Sequence, residues 1–107
     1  MTIQLLEEVY STLKSANLTA SEREFCEQWL AKSECYMRTL RYNNIDPSAE
    51  ALATLGSKLG YYSNVLAERR DDTSRHWCCV LNELRSRTQS ALEEKVRLRW
   101  QRVCAAA

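Results

Sequence analysis

Glycine and proline are nearly missing from this chain. Two Gly and one Pro in 107 residues leave too little turn chemistry for a many-stranded β protein. No apolar run approaches the ~20 residues that a membrane span needs. No glycine-rich loop is present to cradle a phosphate, and no pair of carboxylates stands out for acid–base work. The chain has one histidine, His76, beside Trp77-Cys78-Cys79. Adjacent cysteines on a helix point ~100° apart, and Cys26, Cys35, Cys78, Cys79 and Cys104 contain no second pair at zinc-site spacing. A cysteine nucleophile would also lack a third group to orient the histidine. These absences lead to the expectation of no catalytic residue, no metal, no cofactor and no membrane partner, and so of a protein that is not an enzyme.

Charge of one sign is missing too. The formal net charge is +1, but it is unevenly spread. Residues 1–60 hold six basic and eight acidic side chains, and residues 61–107 hold nine basic and six acidic. The odd cysteine number, and an opening Met1-Thr2-Ile3-Gln4 that runs straight into an amphipathic pattern, suggest a reduced, cytoplasmic protein whose cysteines are small buried apolar residues.

What is present is helical periodicity. Over residues 3–15, Leu6, Val9, Tyr10 and Leu13 recur at helical spacing, and Asn17 suits the turn that follows. Ser21-Glu22-Arg23-Glu24 is a capping box: the serine oxygen accepts from the amide of Glu24, and the Glu24 carboxylate reaches back to the Ser21 amide. A second helix to about Leu30 then buries Phe25, Cys26, Trp29 and Leu30. Ala31-Lys32-Ser33 connects it to a third helix over residues 34–42, with Ser33 as N-cap. Tyr36 and Leu40 face inward there, flanked by Met37, while Glu34, Cys35, Arg38 and Arg41 face out.

A polar elbow at residues 42–45 leads to Asp46-Pro47-Ser48. Asp46 caps a fourth helix, and Pro47 takes its first position, where a missing N–H costs nothing. Ala49, Ala53, Gly56 and Gly60 form a smooth side that admits a neighbouring helix, and the helix runs on to about Arg70. Asp71-Asp72-Thr73-Ser74 starts the last helix, which meets no Gly or Pro before Cys104. Trp77, Leu81, Leu84, Thr88, Ala91, Lys95 and Leu98 form its heptad-like seam. The expected fold is all-α: a helix-turn-helix domain over residues 1–70, then a long C-terminal helix over residues 71–107 for packing or dimerisation.

Residues 21–59 resemble the helix-turn-helix core of phage-repressor regulators of the lambda repressor and Cro type. The resemblance rests on Phe25-Cys26, Trp29-Leu30, residues 33–40, Pro47-Ser48 and Ala51-Leu52-Ala53-Thr54-Leu55. More narrowly, Glu24-Phe25, Trp29-Leu30, Lys32-Ser33, Tyr36-Met37, Leu40-Arg41, Pro47-Ser48 and Glu50-Ala51-Leu52 resemble a small uncharacterised family of bacterial proteins, alphaproteobacterial in type. The resemblance implies a bacterial transcriptional regulator that binds double-stranded DNA as a homodimer. Its third helices would enter half-sites one turn, ~34 Å, apart.

On that reading Ser33, Glu34, Cys35 and Arg38 reach base edges, and Arg23, Lys32, Arg41 and Asn43 contact phosphates. Arg97, Arg99 and Arg102 form a secondary basic site. The plainer alternative for these residues is a solvated helix face. Two departures point elsewhere. The turn glycine of the class is Ala31 here, and the connection is one residue longer. Glu34 also brings a negative charge towards phosphates. The alternative is a helical protein-interaction module, such as an anti-activator or a phage-encoded inhibitor, that reuses the scaffold.

Overall fold

A computed structural model describes residues 2–106; Met1 and Ala107, the outer ends of the two expected segments, lie outside the described residues. It is all-α, with no strand among the described residues. Helix α1 spans Thr2–Ser15 and α2 spans Glu22–Glu24, continuing without a break into a π-helical turn, Phe25–Trp29. Helix α3 spans Tyr36–Asn43, α4 Ala49–Glu68 and α5 Asp72–Ala106.

One core serves all five helices. Leu6, Val9 and Leu13 of α1 meet Phe25, Cys26, Trp29 and Leu30, then Met37 and Leu40 of α3. Leu52, Leu55 and Leu59 of α4 and Leu81 and Leu84 of α5 complete it. The largest helix–helix contact is α4 against α5. Its two glycines sit beneath α5: a Cβ on Gly56 would stand 3.8 Å from Thr88 and Gln89, and one on Gly60 2.9 Å from the Arg85 guanidinium. Gly60 does not end α4, which continues to Glu68. Of the smooth side expected there, Gly56 and Gly60 are buried, Ala49 is half-buried and Ala53 is exposed.

The ends of the helices follow local chemistry. Ser21 accepts from the Glu24 amide at 3.2 Å, but the Glu24 carboxylate takes the amide of Ala20, not that of Ser21. Asn17, at φ 61°, closes α1. Its amide donates to the Lys14 carbonyl and that of Leu18 to the Leu13 carbonyl, the paired bonds of a Schellman ending. Asn44, at φ 52°, ends α3 in the same way: its amide donates to Arg41 and that of Ile45 to Leu40.

The second helix departs from the expected α geometry. The Leu30 amide donates to Phe25, and the Lys32 amide reaches back to Cys26, one residue further than the matching bonds after α1 and α3. The extra residue of the connection is thus absorbed as a π turn. It lets Phe25, Cys26, Trp29 and Leu30 all remain buried. Ala31 follows at φ 54°, in the left-handed region that costs an L-residue about 1–2 kcal/mol.

The third helix begins later than expected. Ser33 is not its N-cap; its carbonyl accepts from the Tyr36 amide, and Glu34 and Cys35 lie before the first turn. Met37 and Leu40 are the buried pair, spaced by three, while Tyr36 is half-buried and its hydroxyl accepts from the Ser48 amide at 3.0 Å. Ser48, not Asp46, caps α4, accepting from Ala51 at 3.2 Å. Pro47 therefore precedes the helix and is buried. Asp71 caps α5 through the Ser74 amide at 3.0 Å, and the Ser74 hydroxyl first and then this amide hold its carboxyl below the usual range. The expectation of buried cysteines holds only for Cys26. Cys35 and Cys78 are half-buried, and Cys79 and Cys104 are exposed.

Two opposite substitutions test this account of the backbone. Ala31→Gly should raise stability by about 1 kcal/mol by relieving the left-handed alanine. Gly56→Ala should also raise it, by up to about 1 kcal/mol, because helix propensity improves and the new methyl group meets ordinary contacts. Urea denaturation of both variants checks the two signs.

Candidate functional site

The residues expected to contact DNA lie on α2, on residues 30–35 and on α3. Few of their charges point freely into solvent. Arg23 sits 3.1 Å from Glu27 and 3.0 Å from Glu34, and the Glu27 hydrogen bond, then the Glu34 charge, raises its pKa. The Lys32 ammonium lies 3.7 Å from Glu50 and 5.7 Å from the centre of the Tyr36 ring. The Arg41 guanidinium bonds both oxygens of Glu22, at 2.9 and 3.0 Å, and reaches Glu7 at 3.4 Å. The Glu22 hydrogen bond is the main reason its pKa is raised. Arg41 thus ties α3 to both α1 and α2.

Arg38 differs from these. It is exposed on the outer face of α3, and among the described residues it makes no ion pair. Tyr42, one turn on and 88% exposed, stands ~40° from it around the helix. Asn43 and Ser33 are exposed, and Cys35 is half-buried. The structure therefore brings Arg23 and Glu34 together as a pair and leaves Arg38 as the free cation of α3. Thr39 and Tyr42 share the exposed surface of this helix but were not among the expected contacts. Their position relative to Arg38, one and four residues on, was available from the sequence.

Four cations on this face (Arg23, Lys32, Arg38 and Arg41) stand among five carboxylates: Glu7, Glu22, Glu27, Glu34 and Glu50. Surface pairs of this kind are worth little individually. Their sum still matters, because binding to phosphates needs an excess of positive charge.

The secondary basic residues lie on another element. Arg97, Arg99 and Arg102 are exposed near the end of α5. Gly56 of α4 packs beneath Thr88 and Gln89, and α4 starts seven residues earlier, so the antiparallel α5 passes the start of α4 near Lys95. Every residue of 96–104 is exposed, including Val96, Leu98, Trp100 and Val103. The continuous stretch 96–106 extends α5 by ~16 Å. The expected seam continues as far as Thr88, which is buried; Ala91 and Lys95 are half-buried, and Leu98 is 51% exposed.

The remaining chemistry is structural. Burial raises the pKa of the Cys26 thiol, the reverse of what a nucleophile needs. Arg87 of α5 bonds both oxygens of Glu8 of α1, at 2.8 and 2.7 Å. Lys58 lies 5.2 Å from the centre of the Trp29 ring, and that ring stands 5.0 Å from the ring of Tyr62.

Against known proteins, a family model described as a family of unknown function (DUF6626) matches residues 6–101. That stretch begins in α1 and includes most of α5. No curated protein and no solved structure matches the chain.

The two α3 arginines should separate on mutation. Arg38→Ala should leave the urea midpoint unchanged, because the side chain holds nothing in place. Arg41→Ala should lower stability by up to about 1 kcal/mol, since it releases two carboxylates on two other helices.

Proposed function

We propose that this chain, which belongs to the DUF6626 family of unknown function, is a small helical protein-interaction module that binds its partner through the projecting end of α5. The observation that carries this reading is the run of exposed residues beyond the start of α4, with Val96, Trp100 and Val103 at helical spacing. A single helix in water gains little from its own backbone bonds, and most helical stability comes from packing an apolar face. A segment that leaves Trp100 52% exposed presents the kind of aromatic anchor that dominates interfaces. The first four helices then act as a scaffold that holds α5 in place.

The helix-turn-helix order of parts is retained as an expectation about that scaffold. Two helical segments, the second ending at Trp29 and the third starting at Tyr36, with a left-handed Ala31 between them, support it. Residues 30–35 make a longer link than the usual turn of about three or four residues. The five free cysteines fit a reducing, cytoplasmic setting in a bacterial cell. No described helix is long and apolar enough to cross a membrane.

Transcriptional regulation through double-stranded DNA is the second reading, with the homodimer that paired half-sites require. Arg38 favours it, as an uncommitted arginine on the outer face of the third helix. The carboxylates around that helix favour the first reading. Titration of the full chain with random duplex DNA at ~50 mM salt separates the two. The interaction reading predicts no binding. Micromolar affinity that falls steeply with salt, and a loss of operator binding in Arg38→Ala, would establish the DNA reading in its place.

A further inference from the structure

The end of α5 carries two ridges. At ~100° per residue, Trp77, Leu81, Leu84 and Thr88 define the face that packs on α4. Beyond the start of α4 that same face carries Lys95, Arg99 and Arg102, spaced by four and three. The apolar residues Leu92, Val96, Trp100 and Val103 form a second stripe, rotated ~85° from the first. Of these, Leu92 is half-buried at the root and the other three are exposed. The apolar stripe is therefore not a continuation of the core seam, and it runs beside a cationic ridge.

Resting on the interaction reading above, we infer that this double ridge is a docking surface for an amphipathic helix with acidic flanks, supplied by another protein. Charge complementarity names the occupant. From Lys95 onward the chain has four basic residues and no acidic one, and none of the four forms an ion pair among the described residues. A second copy docked in parallel along this segment would set Lys95, Arg99 and Arg102 against their own counterparts.

The width of the stripe separates a helix from a lipid surface. Its four residues cover an arc of ~80°, nearer a narrow coiled-coil seam than the broad face of a helix that lies in a bilayer. A duplex would satisfy the cations but leave Val96, Trp100 and Val103 without an apolar partner.

The test uses the full chain and a synthetic amphipathic helix about three heptads long, with leucine at the core positions and glutamate at the flanking ones. A second peptide carries lysine at the flanks. Calorimetric titration at ~100 mM salt should show binding of the glutamate peptide alone. Trp100→Ala and Val103→Glu should each weaken it about tenfold or more, with unchanged far-ultraviolet circular dichroism, since neither side chain enters the core. Replacing Lys95, Arg99 and Arg102 by Glu together should transfer the preference to the lysine peptide.

Equal binding of both peptides, or binding indifferent to Trp100→Ala and Val103→Glu, would overturn the inference. So would stripe-dependent binding of phosphatidylserine vesicles or duplex DNA in place of the glutamate peptide. If the peptide fails while light scattering shows self-association that Trp100→Ala abolishes, the acidic partner is excluded and the interaction reading survives. If the stripe variants change nothing in any arm, both fall.

Discussion

Gly56 and Gly60 carry no side chain, and α5 lays Thr88, Gln89 and Arg85 across them. This antiparallel contact between α4 and α5 is the largest between two helices, and α1, α2 and α3 join the same core. It fixes α5 against α4 through Leu81 and Leu84, which enter the same core as Leu52, Leu55 and Leu59. The Glu8–Arg87 pair then fastens α1 to α5 from the side. Because α4 has 20 residues and α5 has 35, the same packing that stabilises the first half of α5 leaves its end without a neighbour. The molecule is 54 Å along its longest axis against 26 and 19 Å across, as a bundle with one outrunning helix must be.

The scaffold around α3 is held by charge as well as by burial. Arg41 reaches Glu22 and Glu7 on two different helices, and Arg23 joins the π turn to Glu34. These cations fasten the surface to itself, and the carboxylates that hold them would repel phosphates. The π turn serves the same region. By absorbing one residue it keeps Trp29 and Leu30 in the core, at the cost of a left-handed alanine. Strain and salt bridges of this kind fit a platform whose task is to stay rigid while another segment makes the contact.

Much of the fold was legible because its signals are local. Leu6, Val9 and Leu13 announced α1, Ser21 and Glu24 the start of α2, and the absence of Gly and Pro after Asp72 the long α5. The third helix was harder. Tyr36 with Leu40 and Met37 with Leu40 are both helical spacings, and nothing local chooses between them; burial in the shared core selects Met37. The π turn was not legible, since no residue type announces it and its cause is the need to bury residues on both sides of an extra one. The ion pairs of Arg41 join residues 19 and 34 positions apart, so only the folded chain could show that the candidate recognition face is already neutralised. The apolar stripe at the end of α5 was present in the sequence but masked, because it interleaves with the stronger seam that packs on α4.

The central claim is that α5 is two things in one helix: a packed core element as far as Thr88 and an uncovered docking end beyond Lys95. Native-state hydrogen exchange on the dilute full chain tests this most directly. The account predicts that amides at 81–88 exchange only through global unfolding, while those at 98–104 exchange with little protection. Uniformly high protection from Leu81 through Val103 would contradict it, since the end of α5 would then already be covered.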